Sequence, residues 1–337
     1  MRARMPPSVL FLADPSEDYV ADTLFHGLRS LLGAAVVDYP KREPLYDSYP
    51  KERQAALYGR GFTIYGLLED ISVERDEVPQ RAAAGDFDAV VFGTIWRDWH
   101  WWVEFHDRLP DGVRKAVVDG ADVAWMYPYG PTWWKTPRGW TLPRAHRRAT
   151  YFKREWTPAT GWLRWWGIVP PPLSDHLPLE PLAISFPAEK VVPEVPAKEQ
   201  QFATHVVDAE VAERLGRGQT GYSFDAESDY AADLAASRFG ITTRRAGWDA
   251  LRHYEIAGRA AVPAFRALGR KPPRCAPHGL RPGVNCIAYE SADDLLRQVD
   301  GIDGDRYLEL AAGALDWARS NTTRRRAEFV LEKLGLA

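Results

Sequence analysis

Residues 240–255 read Gly-Ile-Thr-Thr-Arg-Arg-Ala-Gly-Trp-Asp-Ala-Leu-Arg-His-Tyr-Glu, which carries the signals of a strand, a glycine turn and a helix. The short apolar strand ends near Thr243, and a helix is predicted to begin near Gly247. The unpaired N–H groups at a helix start attract phosphate, and the planar side chains of Arg244 and Arg245 can grip its oxygens. The stretch therefore predicts a phosphate-binding turn between a strand and a helix.

The predicted helix carries side chains that suit the rest of a nucleotide. Gly247 lets the backbone come close to a ligand. Seven residues make almost two helical turns, so Trp248, Arg252 and Glu255 are expected on one face. The Glu255 carboxylate can accept two hydroxyl hydrogen bonds, which is what a ribose offers. The competing interpretation is a solvated arginine pair and a surface ion pair between Arg252 and Glu255.

Strand and helix signals alternate on both sides of this stretch. In the second half, strand-like runs lie at residues 201–207, 261–265 and 285–289, and helical patterns at residues 209–215, 227–237 and 306–334. In the first half, strand-like runs lie at residues 8–13, 34–38, 88–93, 116–119 and 151–155, and helical patterns at residues 18–32 and 77–85. This alternation is typical of parallel sheets covered by helices. The predicted fold class is α/β, with two Rossmann-like domains facing a cleft.

A proline-rich connection separates the two alternating halves and begins with three prolines at residues 170–172. The predicted division is a first domain over residues 1–181, a second over residues 182–320, and a C-terminal helix over residues 321–337. The first domain includes a tryptophan-rich insertion, since 12 of the 14 tryptophans lie between Trp96 and Trp166. Ligands of parallel sheets bind beyond the carboxyl ends of the strands, so the cleft is the expected site.

Composition excludes several classes of protein. The 337 residues include 43 Lys and Arg against 46 Asp and Glu, which argues against a nucleic-acid partner bound by a basic surface. Cys275 and Cys286 are too few for a disulfide framework, and their spacing matches no zinc signature. No run approaches the 18 apolar residues that indicate an integral membrane segment. The apolar run at residues 9–13 is too short for a signal peptide, so a cytoplasmic location is expected.

Residues 229–257 resemble the nucleotide-sugar half of GT-B glycosyltransferases, and most closely the spore-maturation-type glycosyltransferase-like proteins of bacteria. The similarity covers about residues 200–320, and more weakly residues 117–122 and 151–155. It implies an enzyme that moves a sugar from a nucleotide-diphosphate donor to an unknown carbohydrate or small-molecule acceptor. It also implies that the donor lies on the C-terminal domain, and that no metal or other cofactor is required.

The resemblance assigns roles to single residues of the motif. Arg244, Arg245 and Gly247 match the segment that faces the diphosphate, and Glu255 matches the acid that binds the ribose. The large retaining family carries two glutamates separated by seven residues, but here the first position is Gly247 and the nearest acid is Asp249. The predicted donor-binding residues are Thr243, Arg244, Arg245, Gly247, Trp248, Arg252, His253 and Glu255.

An inverting transfer also needs a base for the acceptor hydroxyl. The candidates are Asp14 after the first strand, His26 on the first helix and Asp119 at the end of the fourth strand. Aromatic residues near the third strand predict either a platform for the acceptor or plain helix packing. The candidate acceptor-side residues are Trp96, Arg97 and Trp125.

Two other functions fit the same sequence. The chain is compatible with a GT-B relative that transfers nothing, either a nucleotide-sugar epimerase or a scaffold that binds a nucleotide sugar. It is also compatible with a carbohydrate-binding partner protein whose nucleotide site is degenerate. Nucleotide binding separates the last of these from the others, and release of diphosphate from a bound donor separates a transferase from a scaffold.

Overall fold

Each half of the chain contributes one parallel sheet. The computed structural model describes residues 6–127, 145–160, 176–217 and 223–337. The strands of the first half are β1 (Val9–Leu12), β2 (Val36–Tyr39), β3 (Ala89–Phe92), β4 (Arg114–Asp119), β5 (Thr150–Lys153) and β6 (Leu179–Pro181). Those of the second half are β7 (Gln200–Phe202), β8 (Ser237–Thr242), β9 (Val262–Arg266) and β10 (Ile287–Tyr289). The sheets have the orders β2-β1-β3-β4-β5-β6 and β10-β9-β8-β7, and neighbouring strands are parallel.

Helices connect the strands and cover the sheets, which confirms the predicted α/β class. In the first half they are α1 (Tyr19–Leu32), α2 (Lys51–Gln54), α3 (Val78–Ala84), α4 (Trp99–Phe105) and α5 (Ala145–Arg148). In the second half they are α6 (Ala209–Arg214), α7 (Glu227–Ala236), α8 (Leu251–Gly258), α9 (Ala292–Asp300), α10 (Gly304–Ser320) and α11 (Thr323–Lys333). No helix in the described part of the chain is long and apolar enough to cross a membrane.

Local sequence signals set the ends of α1. The Asp18 carboxylate accepts hydrogen bonds from the backbone N–H groups of Val20 and Ala21, which would otherwise have no partner at the helix start. Gly33 follows the helix with a φ of 56°, a conformation that glycine adopts without steric cost. Both ends agree with the helix predicted over residues 18–32.

The predicted start of α8 is wrong by four residues. The helix begins at Leu251 and not near Gly247, so Trp248 is not on the helix and shares no helical face with Glu255. The backbone N–H of Trp248 donates to the Glu155 carboxylate at 2.7 Å, and this contact holds the preceding residues in a loop. The phosphate-binding turn predicted from the sequence is therefore a longer loop, residues 243–250, followed by the helix.

The C-terminal helix returns to the first half of the chain. The pattern over residues 306–334 forms two helices, α10 and α11, which separate where Thr322 caps α11. Helix α11 packs on α1 so closely that a Cβ atom on Gly27 would overlap the carbonyl group of Thr323. The glycine at position 27 is therefore required by this contact.

A continuous apolar core joins the two halves. The cluster beneath α1 contains strand residues of the first sheet and also Leu251 and Tyr254 from α8 and Trp317 from α10. The rings of Tyr254 and Trp317 stack with their centroids 4.8 Å apart. A large apolar contact of this kind fixes the relative position of two units more firmly than a linker does.

Two sequence predictions lie outside the described residues. The three prolines at residues 170–172 are among them, and so are the tryptophans at residues 128–144 and 161–175. The tryptophan-rich insertion is therefore seen only in part.

Candidate functional site

The carboxyl ends of the two sheets meet. Glu155 follows β5 of the first sheet and accepts a hydrogen bond from the backbone N–H of Trp248, in the loop after β8 of the second sheet. A Cβ atom on Gly247 would overlap the carboxylates of Glu155 and Asp122, so any larger residue here would have to displace these side chains. Strand ends from the two sheets therefore face each other across the site.

A buried cluster of charged groups surrounds this contact. Glu155 is only 3% exposed, and its second carboxylate oxygen lies 2.8 Å from the Sγ of Cys275. Burial raises the pKa of the Cys275 thiol, so the thiol remains protonated and donates to Glu155. Arg154 forms an ion pair with Asp122. The cluster holds Gly247 and Trp248, in the second half of the 243–250 loop, against the first sheet.

Asp249 ties the same loop to the connection between the sheets. Its carboxylate accepts hydrogen bonds from the backbone N–H of Ile184 at 2.7 Å and from the Tyr254 hydroxyl at 2.9 Å. Burial raises its pKa from the ordinary 3.8 to about 6, although the nearby Arg154 acts in the opposite direction. The acid nearest to position 247 is therefore a buried support of the loop.

The 243–250 loop carries two exposed arginines. Arg244 and Arg245 are exposed, and within the described residues their guanidinium groups form no hydrogen bond or ion pair. The Arg244 guanidinium lies over the Trp248 ring, 5.1 Å from its centroid. The N-cap residue of α8, Ala250, supplies no side-chain cap to the first turn. The loop thus presents two available cations beside an uncapped helix start, which favours an anion.

The Glu255 carboxylate accepts hydrogen bonds from two hydroxyl groups of the protein. One carboxylate oxygen accepts a hydrogen bond from the Thr63 hydroxyl at 2.5 Å, and the other accepts one from the Tyr230 hydroxyl at 2.9 Å. Burial raises the pKa of Glu255, while these two hydrogen bonds and the charge of Arg252 oppose the rise. One guanidinium nitrogen of Arg252 is buried and has no partner among the described residues.

Two residues predicted to bind the donor support the loop from beneath instead. His253 is fully buried, and its Nε2 donates to the Trp248 carbonyl at 3.0 Å while its Nδ1 accepts from the Thr242 hydroxyl at 2.8 Å. Burial lowers its pKa to about 3, so the ring is neutral. Trp248 is also buried and packs near Phe265. Neither side chain is open to a ligand.

Asp14 is the accessible carboxylate among the three candidate bases. It follows β1 at the carboxyl edge of the first sheet, and its side chain is 41% exposed. The Trp101 indole N–H donates to one oxygen at 3.0 Å, and the His100 Nε2 lies 3.6 Å from the same oxygen. Its other oxygen has no partner in the described part of the chain, so this carboxylate is available for a further hydrogen bond.

The other two candidate bases are enclosed. His26 is buried between α1 and α11, and its ring nitrogens lie 3.0 Å from the Thr323 hydroxyl and 3.0 Å from the Glu189 carboxylate. Asp119 is 1% exposed, pairs with Lys153 at 3.0 Å and accepts a hydrogen bond from the Tyr151 hydroxyl at 2.6 Å. Both side chains are buried and engaged by protein partners, so their roles as bases stay predictions.

Two of the three candidate acceptor-side residues, Trp96 and Arg97, contact the loop after β1. Trp96 is 46% exposed, and its indole N–H donates to Asp18 at 3.2 Å. Arg97 lies over the Trp96 ring and donates to the carbonyl groups of Ser16 and Glu17 at 3.3 Å. Trp125 is partly buried.

Sequence reasoning missed several residues of this region. Glu155 had a signal, because a residue just after a parallel strand lies at the ligand-binding edge. Trp101 and His100 belong to the aromatic run of which only Trp96 and Arg97 were selected. Thr63 had no signal, since nothing in its neighbourhood indicates a contact with Glu255, 192 residues away.

In the described ranges, no group of three or more His, Cys, Asp and Glu side chains is arranged to hold a metal ion.

Similarity to solved structures clarifies the fold. Anabaena Alr3699/HepE in complex with UDP matches with a TM-score of 0.56 and 9% sequence identity, over 98% of this chain and 100% of that chain. The complex of the same protein with UDP-glucose matches with a TM-score of 0.55 at the same identity and coverage. The chain has a GT-B-like fold. Its two parallel sheets correspond to two Rossmann-like units that face a cleft.

No family model matches the sequence, and no curated protein is significantly similar to it. The similarity to the HepE structures therefore concerns the fold, and the resemblance to spore-maturation-type proteins stays a prediction.

Proposed function

We propose that the chain is a glycosyltransferase that moves a sugar from a nucleotide-diphosphate sugar to a carbohydrate or small-molecule acceptor. The observation that carries the proposal is the pair of exposed cations, Arg244 and Arg245, in the loop that leads to the uncapped start of α8. Their guanidinium groups form no hydrogen bond or ion pair with the described residues. Glu255 lies on the same helix, and each of its two carboxylate oxygens accepts a hydrogen bond from a hydroxyl group of the protein. The two arginines suit a diphosphate, and the Glu255 carboxylate suits the two hydroxyl groups of the adjoining ribose.

The cations have a chemical role beyond binding. Negative charge grows on the diphosphate as its bond to the sugar breaks, and prearranged cations stabilise that charge in the transition state. Arg244, Arg245 and the N–H groups at the start of α8 are the groups proposed to do this. The donor would occupy the second unit, residues 182–320. UDP-sugars are the first donors to test, because the similar HepE was solved with UDP and with UDP-glucose.

The first unit, residues 1–181, is the proposed acceptor side. Asp14 would take the proton from the acceptor hydroxyl while that oxygen attacks the anomeric carbon of the donor sugar. The nucleoside diphosphate leaves with the electrons of the broken bond, and the sugar is transferred with inversion. Trp96, Arg97 and Trp125 are the residues proposed to contact the acceptor.

A binding screen tests the donor site. Thermal unfolding is measured with UDP, GDP, dTDP and ADP, because a ligand that binds only the folded state raises its melting temperature. One of the four is expected to give a shift that Arg244→Ala and Arg245→Ala abolish. Arg324→Ala is the matched control, since Arg324 is an exposed arginine of α11 and the variant makes the same change in charge.

The possible results of the screen separate the candidate functions. A shift that survives both loop variants, or no shift with any nucleotide, contradicts the proposed donor site. A shift without release of diphosphate from the matching nucleotide sugars indicates a binding scaffold. Binding of glycans in the absence of any nucleotide response indicates a carbohydrate-binding protein.

A further inference from the structure

Residues 58–66, called the strap here, extend from the first unit to the second. Arg60 pairs with Asp225 at 2.9 Å, and the ring of Phe62 stacks on that of Tyr230 with centroids 6.3 Å apart. The Thr63 hydroxyl donates to Glu255 at 2.5 Å. Three successive parts of the strap therefore contact Asp225, which lies two residues before α7, then α7 and then α8.

The strap is anchored in the first unit on its C-terminal side. The backbone N–H of Gly66 donates to the Pro44 carbonyl at 2.9 Å, and the Tyr65 hydroxyl donates to the buried Asp22 at 2.9 Å. Ile64 and Tyr65 are part of the core beneath α1. The base of the strap is therefore held in the first unit, whereas the side chains of residues 60–63 contact the second.

The backbone of the strap is strained where it crosses. Thr63 has a φ of 75° and Arg60 has a φ of 61°. A β-branched residue rarely adopts this left-handed region, and such a conformation persists only when surrounding contacts hold it. Release of the contact between Thr63 and Glu255 would allow the backbone to relax.

We propose that the strap is an autoinhibitory latch on the ribose site. The Thr63 hydroxyl occupies at Glu255 the position of one ribose hydroxyl, so a nucleotide must displace the strap in order to bind. This inference rests on the proposed function, which assigns the ribose to Glu255. Tyr230 lies on α7 of the second unit and keeps its place, so Thr63 is the partner that leaves.

The strap is held less firmly on the second unit than the two units are held on each other. The two units are joined by the continuous apolar core and by the buried contact of Glu155 with the loop after β8. Among the described residues, the contacts of residues 60–63 with the second unit include one side-chain hydrogen bond, one ring contact and one ion pair, and Asp225 in that pair is 95% exposed. Weakly held segments open locally at a much smaller cost than whole units separate.

Hydrogen exchange on the full chain tests the latch. The amide groups of Arg60, Phe62 and Ile64 donate to backbone carbonyl groups within or beside the strap and report its opening. Without nucleotide, Thr63→Val should speed their exchange because it removes the hydroxyl and keeps the branched side chain. Thr63→Ser keeps the hydroxyl and should exchange like the parent.

Nucleotide addition gives the decisive comparison. The probe is UDP, or whichever of GDP, dTDP and ADP gives the largest thermal shift, together with its 2′,3′-dideoxy form. In the parent, exchange is expected to slow in α8 and to speed up in the strap. The Thr63→Val variant should bind the ribonucleotide about threefold to tenfold more tightly, because a larger fraction of it is already open. The dideoxy nucleotide should leave the strap unchanged.

Failure of the latch is distinguishable from failure of the proposed function. If no nucleotide slows exchange in α8, the proposed donor site is wrong. If α8 becomes protected while the strap is unchanged or also protected, the strap is a wall of the site and the latch is overturned. Equal or weaker ribonucleotide binding by Thr63→Val overturns it as well.

Discussion

Asp14 differs from the other candidate bases in its surroundings. His26 and Asp119 are buried and fully engaged, whereas the Asp14 carboxylate is partly open and is oriented by the Trp101 indole. An open carboxylate at the carboxyl edge of a parallel sheet is placed where ligands of this architecture bind. This accessible position is the reason that we propose Asp14 as the base.

The Asp14→Asn variant tests this role. The amide cannot accept the proton, so transfer is expected to fall by about 100-fold or more, while nucleotide affinity stays near that of the parent. Sugar transfer or release of diphosphate from the donor is the measurement. Asp111→Asn is the control, because Asp111 is exposed and lies at the opposite end of the strands. Turnover by Asp14→Asn at the parental rate would remove Asp14 from the mechanism.

Asp249 gives the fold a dependence on pH that can be measured. Its pKa is raised by burial from 3.8 to about 6, so the folded chain takes up a proton that the unfolded chain does not. Its contribution to stability therefore rises as the pH falls from 7 to 5, by about 1 kcal/mol, and is lost again as the pH rises through 6.

The Asp249→Asn variant isolates that contribution. The amide keeps the shape of the side chain and does not titrate, so the free energies of unfolding of the parent and the variant should diverge between pH 7 and pH 5. Urea unfolding at both values measures the difference. A constant difference, or a parent that loses stability relative to the variant at pH 5, contradicts the raised pKa.

The contact of α1 with α11 depends on one small residue. A Cβ atom on Gly27 would overlap the backbone of Thr323, which sits in the first turn of α11. Gly27→Ala is expected to destabilise the fold by about 2 kcal/mol or more, since backbone cannot move aside as a flexible side chain does. Gly304→Ala is the control, because nothing lies within 4 Å of a Cβ at that position. Equal free energies of unfolding for the two variants would show that the helices are not in such close contact.

Helix ends show what a sequence of this kind reveals. The start of α1 is predictable because Asp18 supplies its own local cap and Gly33 its own stop. The start of α8 is not, because the contact that delays it comes from Glu155, 93 residues away along the chain. The residues of the site divide in the same way. Glu255 is singled out by the motif of residues 240–255, although the helix start assumed there is wrong, while the contact with Thr63 arises only through the fold.

At the scale of the whole molecule, the main feature is the contact between the two halves of the chain. Two α/β halves separated by prolines predict a cleft, but they do not predict that α11 returns to α1 or that one core includes residues of both halves. Those features arise from packing across long sequence separations, which no local pattern records. They also make the relative position of the units part of the fold.

Glu155 forms one of the buried polar contacts between the two sheets. Glu155→Ala would leave the Trp248 N–H buried without a partner, so the free energy of unfolding is expected to fall by about 1–3 kcal/mol. Glu155→Gln keeps an acceptor oxygen and should lose less. Denaturant unfolding of both variants is the measurement, and the parent should unfold in a single transition. Equal stability of Glu155→Ala and the parent would show that the contact does not couple the sheets.

The position at which a nucleoside diphosphate binds tests the proposed donor site most directly. A crystal structure of the chain with the nucleoside diphosphate that gives the largest thermal shift measures it. The phosphate oxygens should lie within hydrogen-bond distance of the Arg244 or Arg245 guanidinium groups, with the ribose hydroxyls at Glu255. A nucleotide bound at the carboxyl edge of the first sheet, or anywhere that leaves both arginines without a contact, would contradict the proposed donor site.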